Sequence, residues 1–259
     1  MIYAHYWKRI GNFGDVLVPI ILKWISGQEV QWAPKEKSGK VLCVGSEMAG
    51  GVLQTGDIVW GYGTRHKKKI VPPPGVHFLA VRGKYTRSMI EGEVPEVYGD
   101  PGILMPLIYT PKPTKKRYSI GIVPHHAERH LFKGIEARDV KILDVAVKDV
   151  YKFIDEMNSC DLIVTSSLHS CIVAEAYGIP VVWILGQKDE SEGFRLKFND
   201  YFSGTGRGHI DPVILKNYSL KDIIVHKDKI LPKPTFFREE LIKSWKEMGS
   251  ILGKEEKNL

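Results

Sequence analysis

The chain predicts an α/β protein built as two parallel-sheet domains facing a cleft, and three observations carry that expectation. Short apolar runs of strand character alternate with helical ones along most of the length, the pattern of parallel strands joined by crossover helices. The run YTPKPTKKRY, from Tyr109 to Tyr118, breaks the alternation with turn formers set among basic residues and reads as a linker. At 259 residues there is room for two modest cores.

Before the linker, strands are expected at Ile2–Trp7, Val41–Gly45, Asp57–Trp60, Phe78–Arg82 and Glu96–Gly99, with helices at Asp15–Ile25 and Lys84–Ile90. After it come strands at Tyr118–Val123, Val140–Leu143, Leu162–Thr165 and Val181–Leu185. Helices are expected at Val147–Met157, from Leu168, and near Ser219–Val225. Beyond Pro232 and Pro234 the segment Phe236–Leu252 reads as a terminal helix. The expected organisation is a Rossmann-like domain over 1–109, a linker over 110–117, a second Rossmann-like domain over 118–234, and a helix and tail over 235–259 packing back on the body.

Composition narrows the function classes. Hydrophobic residues make up 43% and charged residues 26%, as in soluble globular proteins. No apolar run approaches the roughly 20 residues needed to span a bilayer, and MIYAHYWKRIGNFGD meets basic residues before any apolar core of a secretory signal. The three cysteines are scattered through apolar runs, which suggests neither a disulfide framework nor a zinc site. A cytoplasmic location is expected. The net charge of +7 suits anionic partners. Nucleic acid is not expected, because aromatics do not interleave with the lysine runs.

Candidate site residues follow from where the strands end, since ligands of such sheets gather there. In KRIGNFGDVLVPIIL, Asp15 either caps the coming helix or reaches the cleft. Arg82 ends FLAVR, where its planar fork suits a carboxylate or phosphate, or a surface ion pair. Asp100, before Pro101, reads as a helix cap. His125 and His126 close IGIVPHH; one polar cleft residue is expected there rather than a metal pair, since adjacent side chains point apart in extended chain. In TSSLHSCIVAEAYGIP, Ser166 or Ser167 is the N-cap, and His169 falls in the first turn near the positive end of the helix dipole. On residue chemistry alone, packing and function both remain open for His169.

The ordered set GNFGD, VGSEMAGG, VWGYGT, VRGKYTRSMI, YGDPGILMP, IGIVPHH and SSLHSCIVAEAYGIPVV resembles the polysaccharide pyruvyltransferases, from about Gly11 into the 200s. The resemblance implies a fold similar to the GT-B glycosyltransferases. It also implies transfer of pyruvate from phosphoenolpyruvate to two hydroxyls of a sugar, giving a cyclic ketal and phosphate, with no further cofactor and no metal. It places His169 in the histidine position of an Arg-Leu-His motif whose arginine position is Ser167 here, so that Arg195 or Lys197 is expected to supply the missing charge. Arg82 takes the arginine of a Val-Arg-Asp motif, with Gly83 where the aspartate is usual, and Asp15 lies on the acceptor side. His169 and Asp15 are thus the expected catalytic pair. Arg82, Arg195, Lys197, Ser167, His125, Asn12 and Gly14 are the expected substrate contacts. A lipid-linked acceptor also follows from the resemblance, and basic loops such as Lys67 to Lys69 are expected to sit against the inner, anionic membrane face. The alternatives are a nucleotide-sugar glycosyltransferase of the same architecture and a non-catalytic relative.

Overall fold

Two five-stranded sheets form the frame of the protein. They are seen in a computed structural model that describes residues 1–112, 115–186 and 192–255, the segment 249–255 by backbone alone. Part of the expected linker (Pro113 and Thr114) and the end of the expected tail (256–259) lie outside the described residues. The first sheet contains β1 (Ile2–Ala4), β2 (Val30–Trp32), β3 (Val41–Leu42), β4 (Ile58–Tyr62) and β5 (His77–Val81), in the order β2-β1-β3-β4-β5. The second contains β6 (Tyr118–Val123), β7 (Val140–Ile142), β8 (Cys160–Thr165), β9 (Val181–Gly186) and β10 (Val213–Leu215), in the order β10-β9-β8-β6-β7. Every ladder between these strands is parallel. Numbered within its own half, each sheet has the order 2-1-3-4-5, a doubly wound Rossmann-like arrangement. In such a sheet the strand order reverses between the first and third strands, and a crevice opens at their carboxyl ends.

Helices α1 (Phe13–Ser26), α2 (Lys84–Met89) and α3 (Met105–Ile108) accompany the first sheet; α4 (Val150–Asn158), α5 (Leu168–Ala176), α6 (Glu192–Gly204) and α7 (Leu220–Ile224) accompany the second. Helix α8 (Arg238–Glu255) then returns to the first half. Its Leu241 carbonyl accepts from Trp60 Nε1 at 2.9 Å, and Trp245 packs on Trp60 with ring centroids 4.9 Å apart. Among the described residues no helix is long and apolar enough to cross a membrane.

One continuous core runs through both halves. Phe13, Leu17 and Ile21 of α1 share it with Ile172 and Val173 of α5 and with Trp183, Phe198 and Phe202 of the second sheet and α6. The halves are also stitched by backbone: Asn12 bridges Ala146, with Phe13 N donating to Val145 O at 2.7 Å and Val147 N to Gly11 O at 3.0 Å. That stitch explains why α4 begins at Val150 and not at Val147 as expected. The Val147 amide is already used, and Asp149 caps the helix by accepting from the amides of Tyr151 and Lys152.

The joint between α2 and α6 is built from charge. Asp200 of α6 accepts from Arg82 Nε at 2.9 Å and from the Thr86 amide and hydroxyl, each at 2.7 Å. It therefore serves as counter-ion to the arginine and as cap for α2. The approach is so close that a Cβ on Gly83 would lie 1.7 Å from the Asp200 carbonyl oxygen. An aspartate at position 83 would have no room there, and a carboxylate arrives beside Arg82 from α6 instead.

One expected strand is corrected, and further elements appear. Glu96–Gly99 makes only a bridge, Val81 to Tyr98, because the chain swings away at Gly99 (φ 146°) into the short 3-10 turn Pro101–Leu104. β2 and β10 were not anticipated, being three-residue edge strands with little alternation to read. α6 was not anticipated either, although Phe194, Phe198 and Phe202 recur at helical spacing along it.

Candidate functional site

A cavity of about 420 Å³ lies where the carboxyl ends of the two sheets meet, within the usual size of a small-molecule site. Both strand-order reversals open on it. From the first sheet come Trp7, Asn12 and Asp15 after β1, and Gly45, Ser46 and Glu47 after β3; Tyr62 and Arg65 belong to the end of β4. From the second come His125 and His126 after β6, Ser167 and His169 after β8, and Lys197 of α6.

Asp15 sits in the first turn of α1. Its Oδ1 accepts from the Trp7 amide at 3.1 Å and its Oδ2 from Asn12 Nδ2 at 2.6 Å. Asn12 thus spends its side chain on holding Asp15. Burial pushes the Asp15 carboxyl above the ordinary carboxylate range, opposed by the Asn12 hydrogen bond and the nearby His169. A carboxyl so placed holds its proton more tightly than a solvated one, which suits a group that takes a proton from a hydroxyl.

His169 lies in the first turn of α5, its side chain only 15% exposed. Its ring occupies the space a side chain at position 14 would need: a Cβ on Gly14 would lie 2.0 Å from His169 Nδ1. Gly14 therefore serves the site through what it lacks. On the ring's other side, Nε2 faces Oδ2 of fully buried Asp100 at 3.5 Å. Asp100 caps the Pro101–Leu104 turn, as expected, by accepting from the Gly102 amide at 2.9 Å.

His125 and His126 do not point apart. The chain turns after β6, bringing the rings to 4.1 Å, and His125 meets Phe194 edge-on at 5.0 Å. Burial, then Lys197, His126 and Arg65, lower the His125 imidazole to about 3. It is therefore a neutral ring at physiological pH, able to donate from one nitrogen and accept at the other. Among the described residues no three His, Cys, Asp or Glu side chains converge as metal ligands do.

The cations separate into three kinds. Lys197 lines the cavity, its ammonium 3.9 Å from the Phe194 ring centroid, and Arg65 lines it while pairing with Glu47 at 2.6 Å. Arg195 turns instead to Asp211, at 2.9 Å, and is not part of the lining. Arg82 lies behind the wall, fully buried. Its NH1 donates to Gly45 O at 3.2 Å and Ser46 Oγ at 2.5 Å, and its NH2 to Thr64 O at 2.8 Å. With Nε on Asp200, each guanidinium nitrogen has a protein acceptor. The expectation that Arg82 meets a ligand is replaced by a scaffold role: it fixes the Gly45–Ser46 and Thr64 loops that form the wall.

Sequence reasoning brought Asp15, Asn12, Gly14, His125, Ser167, His169 and Lys197 into one neighbourhood. It passed over Arg65, Glu47, Tyr62 and Trp7, and took Asp100 for a cap alone. The signal for Arg65 is present in GYGTRHKKK, where a cation follows a strand end.

A family model described as polysaccharide pyruvyl transferase matches residues 48–187, more than half of the chain, including Arg82, Asp100, His125, Ser167 and His169. "Uncharacterized protein L143" of Acanthamoeba polyphaga mimivirus is 33% identical over 138 residues, which is 49% of this chain and 47% of that protein. The chain thus spans about half the length of the curated relative it matches. No solved structure matches it. With the family's matched segment supplying most of the second sheet's wall of the cavity, the chain belongs to the polysaccharide pyruvyl transferase family.

Proposed function

We propose that this chain transfers pyruvate from phosphoenolpyruvate to two hydroxyls of a sugar, in a polysaccharide or its lipid-linked precursor, forming a cyclic ketal and releasing phosphate. The proposed setting is the cytoplasm, at the inner membrane face where the acceptor is lipid-linked. The observation that carries the reading is the joint placement of Asp15, His169, Arg65 and Lys197 around one cavity at both strand-order reversals, in a chain of this family.

The donor carries a carboxylate and a phosphate, so its site needs fixed positive charge and free amides. Lys197 and Arg65 supply the charge. Helices α1 and α5 begin at the cavity, and neither Asn12 nor Ser167 caps its own helix with its side chain, which leaves first-turn amides suited to an anion. In this reading Ser167 needs no arginine, because Lys197 of α6 stands in for it. Residues 118–234 hold the donor, with Arg65 and the start of α1 reaching it from the first half, and the rest of residues 1–109 holds the acceptor.

The chemistry requires three things. One sugar oxygen adds to the donor's central carbon while its methylene carbon gains a proton and becomes a methyl group. The second sugar oxygen then replaces the phosphate, whose departure carries away the remaining hydroxyl proton. His169 moves the proton at the donor side, Asp15 orients and deprotonates a sugar hydroxyl, and Lys197 with Arg65 neutralises the departing phosphate. No cofactor besides the donor enters the proposal.

A thermal-shift comparison tests it. Phosphoenolpyruvate at about 100 times its dissociation constant is expected to stabilise the protein by about 2.7 kcal/mol. Stabilisation by nucleoside-diphosphate sugars with none by phosphoenolpyruvate would instead assign a glycosyltransferase, and stabilisation by neither a non-catalytic relative.

A further inference from the structure

We infer that Asp100 is a positioning residue for His169: it holds the ring with Nε2–H turned into the protein, so that Nδ1 is the nitrogen presented to the reaction. This rests on the proposed role of His169, and deepens it by naming the working atom.

Two buried polar atoms carry the inference. Asp100 Oδ2 and His169 Nε2 are each shut off from solvent, each has no hydrogen-bond partner among the described residues, and they face one another at 3.5 Å. A buried carboxylate oxygen without a donor is costly, and here the nitrogen opposite has the matching need. The other carboxylate oxygen is anchored, because Oδ1 accepts from the Gly102 amide at 2.9 Å. Pro101 follows at the first position of the turn and fixes the backbone of the cap. Asp100 is therefore held from one oxygen and aimed with the other.

The ring's opposite edge completes the case. His169 lines the cavity, yet Nε2 is buried. The edge bearing Nδ1 lies over the bare Cα of Gly14, next to Asp15 in the first turn of α1. A carboxylate can only accept, so its partner nitrogen must carry the hydrogen in the neutral ring. Nδ1 is then left with a lone pair on the side of Gly14 and Asp15, able to take a proton and return it. The same logic of a carboxylate fixing the tautomer governs the serine-protease histidine. Here the two nitrogens exchange places: Nε2 is the anchored one and Nδ1 the working one.

The test reads the tautomer directly. In protein labelled with ¹⁵N-histidine, the His169 signals are identified by their loss in His169→Gln, and the neutral ring is expected to carry its hydrogen on Nε2. Asp100→Asn keeps an oxygen for the Gly102 amide and points an NH₂ at Nε2. It is expected to move the hydrogen to Nδ1 and to lower kcat about 10²- to 10⁴-fold, with KM for phosphoenolpyruvate changed less than about threefold. A hydrogen on Nδ1 in the unsubstituted protein would overturn the inference, and so would an Asp100→Asn protein with tautomer and kcat unchanged. The spectrum of the unsubstituted protein decides the geometry even if Asp100→Asn fails to fold. It also needs no substrate, so an absence of phosphoenolpyruvate turnover would remove the proposed function and leave the tautomer to be judged separately.

Discussion

Among the described residues, two buried pairs of ionisable side chains cross from the first half of the protein to the second, and they are finished differently. Arg82 and Asp200 are both fully buried, and their nitrogens and oxygens are taken up by one another, by Thr86, by Ser46 and by the Gly45 and Thr64 carbonyls. His169 and Asp100 face each other at 3.5 Å, and the two facing atoms make no hydrogen bond among the described residues. The first pair is a joint, in which each guanidinium nitrogen and each carboxylate oxygen has a protein partner. The second keeps bonding capacity in reserve beside a cavity. Saturation, more than burial or charge, separates a residue that holds the fold from one that works in it.

The sharpest way to break this contrast is to cut the joint. Asp200→Ala leaves the Arg82 guanidinium buried without its counter-ion and removes the cap of α2. It is expected to cost about 3–5 kcal/mol of stability, measured by denaturant unfolding. A loss below about 1 kcal/mol would mean that the joint is no more structural than an exposed ion pair.

A smaller effect compares two of the cavity histidines. Asp100 stands behind His169, whereas His125 is surrounded by burial, Lys197, His126 and Arg65, which hold its imidazole at about 3. Because the folded protein resists protonating His125, its contribution to stability is complete above the unfolded value near 6.5. That contribution is lost as pH falls from there toward 3. Between pH 7 and pH 4 the protein is expected to lose about 1–3 kcal/mol more stability than His125→Gln does. Parallel pH profiles for the two proteins would contradict the burial-driven depression.

Much of this was legible in the sequence because parallel strands leave a strong local mark. The runs that became β4, β6, β8 and β9 are dominated by apolar residues, and α5 follows its strand at a serine cap position. What could not be read were the partnerships made by distant segments. Arg82 at a strand end looks like a ligand-binding fork until α6 brings Asp200 to it from 118 positions away. Asp100 is rightly read as a cap from its neighbours Pro101 and Gly102, and its second oxygen acquires meaning only when α5 sets His169 opposite. Gly14 is expected as a substrate contact, while the structure shows a place cleared for a ring. In each case the local sequence predicts the local structure, and the role depends on which element of the other half arrives there.

The central claim is that His169, held in this cavity, performs the proton transfer of pyruvyl transfer. The direct measurement is phosphate release from phosphoenolpyruvate in the presence of a panel of hexose-terminated free and lipid-linked oligosaccharides, for the unsubstituted protein and for His169→Ala. Acceptor-dependent release that falls at least about 100-fold in His169→Ala, while phosphoenolpyruvate still raises its melting temperature, is the predicted result. Release in His169→Ala close to that of the unsubstituted protein would contradict the claim.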